Sequence, residues 1–272
     1  MVFGHRNPDT DSIVTALVFA DFLRRSKVNA KAYRLSDLDN ETKFVLKTAG
    51  IEQPDMLPDN LPDDTEVALV DHNEIGSTAT ILTKLHIENQ LDIDQKTALL
   101  LISAIISDTL HFRLPTTTDN DRSVVDYLLP IANIDNIESY ANQMFEANSD
   151  LSDLSIQQIL LHGYKIFLFN NQYWGISMLY TFYPNDIFKR KEELLKEMFN
   201  EKKKSHLTGI LFSVIDIIKE QNFMIILGEP ENTVVRQAFN VDFEGQIVNL
   251  GTRISRKRDI IPPLEAYFKI KP

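Results

Sequence analysis

"MVFGHRNPDTDSIVTALVFADFLRR", residues 1–25, decides how the chain is read. It opens on a very short apolar run, turns polar at His5, and from Ser12 becomes largely apolar up to a basic end at Arg24 and Arg25. That order predicts a short strand, a polar turn and a buried helix whose last turn carries cations, which complement the negative end of a helix dipole. The turn holds His5, Asp9 and Asp11, and Pro8 with its short polar neighbours favours a defined turn over helix. Ligands of open α/β sheets bind just beyond the carboxyl ends of the strands. Three good ligands for a hard or borderline divalent metal stand there within seven residues.

The same alternation continues outward. "AKAYRL" (30–35) predicts a second strand, and "NETKFVLKTAG" (40–50) a helix with Asn40 as N-cap and Gly50 as its stop. "EVALVD" (66–71) predicts a third strand, which places Asp71 on the same sheet edge as the first turn. Strands alternating with helices indicate βαβ units and a parallel sheet. From residue 76 to residue 147 four helical stretches follow one another, so only three strands precede them. An average sheet has about five or six strands, and the first half therefore looks short of sheet.

A polar stretch, "NSDLSDLS" (148–155), opens a second region. "YKIFLFNNQYWGISMLY" (164–180) predicts a hairpin turning at Asn170-Asn171. "NDIFKRKEELLKEMFNEKKK" (185–204) predicts one solvated amphipathic helix, "GILFSVIDII" and "FMIILG" apolar strands, and "TVVRQAF" a short helix. Two α/β domains, 1–149 and 150–272, are expected.

Composition removes several function classes. The net charge is −11, from 28 Lys and Arg against 39 Asp and Glu, which argues against non-specific binding to nucleic acid or an anionic membrane. With no cysteine, disulfides, zinc-thiolate sites and thiol catalysis are excluded, and a reducing cytosol is the expected home. No apolar run reaches membrane-spanning length, and the first residues lack a basic leader followed by an apolar segment.

Asp108, inside "LLLISAIISDTLHF", would be costly among so many apolar neighbours unless paired or metal-bound. The alternative for each acid alone is modest: a surface acid, a helix-capping Asp11, an Asp108 paired with Arg113. Taken together, His5, Asp9, Asp11, Asp71 and Asp108 exceed what one metal needs, and two metals bridged by carboxylate would use them, clamping the attacking and leaving oxygens of a phosphoryl transfer. "SRKRD" sets Arg256, Lys257 and Arg258 side by side in an acidic chain. Such a cluster alone reads as a solvated basic edge; beside an acidic metal site it reads as a grip for phosphate. His72 is placed to orient a ligand or pass a proton, whereas His86, His162 and His206 are expected at the surface.

"FGHRNPDTDSI", "LVDHNE", "GSTATIL", "LLLISAIISDTLHF", "AFNV" and "SRKRDIIP" occur in the order seen in family II inorganic pyrophosphatases, of the Asp-His-His phosphoesterase superfamily. The resemblance spans nearly the whole chain. It implies an α/β enzyme with a Rossmann-like N-terminal domain built on a parallel sheet, a smaller C-terminal α/β domain with a mixed sheet, and an active site in the cleft between them. It implies hydrolysis of pyrophosphate to two phosphates by a metal-bridging hydroxide, with two or more Mn2+ or Co2+ ions per subunit and Mg2+ accompanying the substrate. His5, Asp9, Asp11, Asp71 and Asp108 would hold the metals, with Asp71 and Asp108 between them. Lys165, Arg256 and Lys257 would bind the substrate. Many bacterial members pair as homodimers through the N-terminal domain.

The chain departs from the family after "DHNE". There the family carries a few dozen further residues, including a strand that ends in Asp-His-His; its first histidine binds metal and its second helps protonate the leaving group. Here Glu74-Ile75-Gly76 joins the flanking motifs directly, and neither histidine has a counterpart. Either the chain lacks the segment or the sequence closes up a stretch that the protein carries. The second is expected, because removing a central strand exposes sheet edges and core. A lesser departure is Arg258, where the family usually has Lys. Two rivals stay open: another Asp-His-His phosphoesterase acting on short polyphosphate or nucleotides, and a catalytically impaired phosphate-binding relative.

Overall fold

The computed structural model describes residues 1–62, 64–71, 77–151 and 154–270. It divides into two compact units, Met1–Ala147 and Asn148–Pro272.

The first unit begins with β1 (Val2–Phe3), α1 (Thr10–Arg25), β2 (Tyr33–Arg34), α2 (Asn40–Ala49), β3 (Asp55–Met56) and β4 (Ala68–Leu69). All pairings among these strands are parallel: β1 with β4, β2 with β3, and an isolated bridge from Val2 to Ala32 that joins the two ladders. The resulting order, β3-β2-β1-β4, reverses direction at β1, which makes the β1/β4 boundary a topological switch point. Val2, Ala16, Ala20, Ala30, Ala32 and Val70 close the core behind it.

Packing at the β1–α1 junction depends on a glycine. A Cβ on Gly4 would lie 1.9 Å from the Ser12 hydroxyl oxygen, so a larger residue there would have to displace the Ser12 side chain at the start of α1. α3 (Thr78–Glu88), α4 (Gln95–Thr109), α5 (Asp119–Ala132) and α6 (Ile137–Ser149) complete the run of helices.

Three expectations need correction. A fourth short strand, β3, is present; two residues flanked by irregular chain leave no alternation to read. Asp39 caps α2, its carboxylate accepting from the Thr42 amide at 2.7 Å, and Asn40 is the first helical residue. Gly50 does stop that helix, at φ 63°. His86 is buried, not at the surface: its Nδ1 lies 2.8 Å from the Leu82 carbonyl oxygen and its ring meets Phe22 edge-on.

The second unit holds α7 (Ile156–Leu161), β5 (Lys165–Phe169), β6 (Gln172–Thr181), α8 (Pro184–Lys189), α9 (Lys191–Lys204), β7 (Gly209–Asp216), β8 (Gln221–Ile226), α10 (Glu231–Phe239), β9 (Ile247–Asn249) and α11 (Ile261–Ile270). Its sheet runs β5-β6-β7-β8-β9 and is mixed, since β6 and β7 are parallel while the other neighbours are antiparallel. Asn170 and Asn171 turn the β5–β6 hairpin at φ 44° and 61°, the left-handed pair that a tight two-residue turn requires. Every residue of β7 is buried, as a central strand covered on both faces must be. Ile210, Phe212 and Val214 pack against α7, α8 and α9 on one side. On the other, Phe268 of α11 lies against Trp174 and Phe169. The single helix expected over 185–204 is two, broken at Arg190.

Candidate metal centre and phosphate-binding residues

The register of β1 and β4 builds the site. Val2 pairs with Ala68 and Phe3 with Leu69, so two residues further on His5 emerges beside Asp71, past the carboxyl ends of both strands. Asp71 takes a left-handed backbone, φ 54°, which Asp tolerates better than most residues. His5 Nε2 lies 3.2 Å from Asp71 Oδ2 and 3.4 Å from Asp9 Oδ2. One donor atom from each of His5, Asp9 and Asp71 falls within 4.8 Å of the others, a geometry able to hold a metal ion. The other carboxylate oxygen of Asp9 caps α1, accepting from the Ser12 amide at 3.0 Å.

Burial alone would lower the His5 pKa, but its hydrogen bonds to Asp71 and Asp9, and their charge, raise it to about 9. The metal-free protein thus keeps a positive charge between two carboxylates. Several carboxylate oxygens with a single imidazole nitrogen form an oxygen-rich set that a hard divalent cation such as Mn2+ accepts. The residues fit the metal.

Asp11 stands differently. It is buried, 1% exposed, and it caps α3 from outside that helix. Oδ1 accepts from the Ser77 hydroxyl at 2.9 Å and the Ala79 amide at 3.2 Å, and Oδ2 from the Thr78 amide at 3.0 Å. Burial, with the negative charge of Asp108, Asp71 and Asp9, holds its carboxyl well above the usual range, against the opposing bond from Ser77. That repulsion places all four acids in one electrostatic neighbourhood. Asp108 lies in the last turn of α4. The chain after it makes a left-handed turn, with Leu110, His111 and Phe112 at φ 49°, 51° and 65°. Bonds from the His111 amide to the Ile106 carbonyl, 2.8 Å, and from the Leu114 amide to the Thr109 carbonyl, 3.0 Å, hold it there. Backbone of this kind concentrates at functional sites. His72 and the Glu74-Ile75-Gly76 junction lie outside the described residues.

In the second unit, Lys165 opens β5 and Arg256 opens a wide helical turn, Arg256–Ile260, that runs into α11. Arg256 Nη1 donates to the Gly163 carbonyl oxygen, which brings the guanidinium to the start of β5, two residues from Lys165. Tyr180 fixes the approach, its hydroxyl donating to the Ile254 carbonyl at 2.9 Å. Ser255 caps the turn through the Arg258 amide, and Asp259 accepts from the Ser255 amide at 2.8 Å. Lys257 and Arg258 are exposed. The basic motif is therefore a helix entry, not the strand edge that its charge alone would allow.

Two participants carry no signature in the sequence. The α3 N-terminus at Ser77 meets Asp11 across a separation no local pattern encodes. Glu41 is buried beside the same turn, and its acidic character on an exposed-looking helix start concealed it.

A donor set at the switch point of a parallel sheet in one unit, and a basic helix entry on a mixed sheet in the other, mark a two-unit α/β chain equipped to hold a divalent cation and an anion. Residues 142–267 match the DHHA2 domain family. A Deinococcus radiodurans protein assigned as a manganese-dependent inorganic pyrophosphatase is 42% identical over 308 aligned positions, covering 98% of both chains. The manganese-dependent inorganic pyrophosphatase of Methanocaldococcus jannaschii is 32% identical, again with 98% of both covered. A crystal structure assigned to family II inorganic pyrophosphatase from Methanococcus jannaschii superposes with a TM-score of 0.88 at 31% identity, covering 98% of this chain and 99% of that one. The chain belongs to the family of manganese-dependent, family II inorganic pyrophosphatases. The alignment to the Deinococcus protein spans 308 positions against 272 residues here, so at least 36 of its positions have no residue in this chain.

Proposed function

We propose that the chain hydrolyses inorganic pyrophosphate to two phosphates with manganese as its metal, cobalt serving in its place. The observation that carries this is the convergence of His5, Asp9 and Asp71 within 4.8 Å in a chain of that family. His5, Asp9 and Asp71, with Asp11 and Asp108 beside them, would hold the metal. Bound manganese supplies Lewis acidity, lowering the pKa of a water and drawing charge from phosphoryl oxygens. His5 surrenders its proton for the metal to bind, so loading the site releases protons. Arg256, held by Gly163, and Lys257 grip the substrate phosphates together with Lys165, and their charge offsets that of the leaving phosphate. Magnesium enters with the substrate. The chain works in the cytoplasm as a homodimer paired through its N-terminal unit, with no nucleic-acid or membrane partner; no described helix is long and apolar enough to cross a membrane.

The 36 or more unmatched positions favour one second reading, a relative that binds phosphate without turning it over. Hydrolysis of pyrophosphate, tripolyphosphate and a short oligonucleotide, compared at saturating manganese, tests the proposal. Pyrophosphate as the best substrate is expected; pyrophosphate as the poorest would overturn it.

A further inference from the structure

Glu41 is a buried acid of this neighbourhood with no role among the metal ligands. It lies in the first turn of α2 and is only 4% exposed. An acid so buried is costly unless its oxygens are satisfied, and the partners it has are specific. Thr10 donates its hydroxyl to Glu41 Oε1 at 2.9 Å, and the Ser107 side chain lies near enough to the same carboxyl to favour its charged form. Thr10 stands between Asp9 and Asp11, and Ser107 immediately precedes Asp108. Thr10 is tied to α2 a second time through Thr42, 3.1 Å between hydroxyl oxygens. One side chain on α2 therefore joins the start of α1 to the end of α4, the two segments that carry three of the five proposed ligands.

We infer that Glu41 is a positioning residue, setting the spacing of Asp9 and Asp11 against Asp108 through its hydrogen bond to Thr10 and its approach to Ser107. It touches neither substrate nor metal. Its charge is not required for this: burial, with the charge of Asp39 and Asp9, raises its pKa to about 8, opposed by Ser107 and Thr10. In its neutral form it is close in shape and hydrogen-bonding pattern to glutamine. Groups that orient ligands from behind commonly change metal affinity by about 10–100-fold when removed.

The inference rests on the manganese-binding reading above, and one experiment separates the two. Manganese affinity of the full chain is measured by the electron paramagnetic resonance signal of free Mn2+, for the parent, Glu41→Gln, Glu41→Ala, Thr10→Val and Ser107→Ala, each first checked for folding by circular dichroism without metal. The expected result is parent-like affinity, within about threefold, for Glu41→Gln. Weakening of roughly tenfold or more is expected for Glu41→Ala, with smaller losses for the two hydroxyl variants. Should Glu41→Ala fail to fold, the two hydroxyl variants decide alone. A folded Glu41→Ala, or in its place both hydroxyl variants, binding manganese as tightly as the parent overturns the inference. So does a Glu41→Gln that loses as much as Glu41→Ala. A parent that binds no manganese refutes the underlying reading instead.

Discussion

Replacing Asp11 by alanine separates its structural work from its work as a ligand. In the metal-free chain its carboxylate accepts from the Ser77 hydroxyl, the Thr78 amide and the Ala79 amide. The Ala79 amide keeps a second acceptor, Ser77 Oγ at 3.2 Å, so the loss falls on the Thr78 amide and the Ser77 hydroxyl. A buried donor left without an acceptor costs about 1–3 kcal/mol, and a lost neutral hydrogen bond about 1 kcal/mol. Relief of repulsion from Asp108, Asp71 and Asp9 returns part of this. The expected net is about 2–3 kcal/mol, or roughly 5–10 °C of melting temperature for a unit of this size. The control is Asp9→Ala, which removes a half-exposed cap on α1 and costs about 1 kcal/mol. Thermal unfolding in excess EDTA, followed by circular dichroism, reads both. If Asp11→Ala melts within a degree or two of the parent, or no lower than Asp9→Ala, the anchoring of α3 by Asp11 is wrong.

Other outcomes follow from the same geometry. Glu41 keeps its proton to about pH 8 in the folded chain, against an ordinary value of 4.5. The folded state therefore binds more protons between those limits, and the stability this contributes is lost as pH rises. Its surroundings are Asp9 ahead of α1 and Thr10 in its first turn, Asp39 before α2, Ser107 on α4 and Tyr140 on α6. Glu41→Gln should narrow the difference in melting temperature between pH 5 and pH 8, and an unchanged difference counts against it. Manganese at a hundred times its dissociation constant should stabilise the parent by about 2.7 kcal/mol, an effect that His5→Ala should abolish and that urea titration with and without metal measures. Lys202 lies 2.8 Å from Glu231, which is fully buried and also accepts from the Ile210 amide. Lys202→Ala strands that charge and should cost about 3–5 kcal/mol, read as an earlier urea transition in the fluorescence of Trp174, the chain's only tryptophan.

Features that a short stretch dictates were legible in the sequence. The strand–turn–helix of the first residues, the Asn170-Asn171 hairpin and the Gly50 stop each depend on neighbours a few positions apart. A two-residue strand such as β3 leaves too little pattern to detect, and Asp39 and Asn40 are equivalent caps until the backbone chooses one. The break at Arg190 falls where no glycine or proline announces it. In the site, His5, Asp9 and Asp71 could be foreseen because each follows a strand whose end faces the same edge. The partners of Asp11 at α3 and the bond between Glu41 and Thr10 arise from tertiary packing, and only the structure supplies them.

Manganese-dependent release of phosphate from pyrophosphate by the full chain, its intact mass verified, decides whether the chain is a working pyrophosphatase. The expected result is turnover that EDTA abolishes, that manganese restores, and that His5→Ala and Asp71→Ala eliminate. Pyrophosphate that binds at saturating manganese without any phosphate being released would contradict it and leave a phosphate-binding relative in its place.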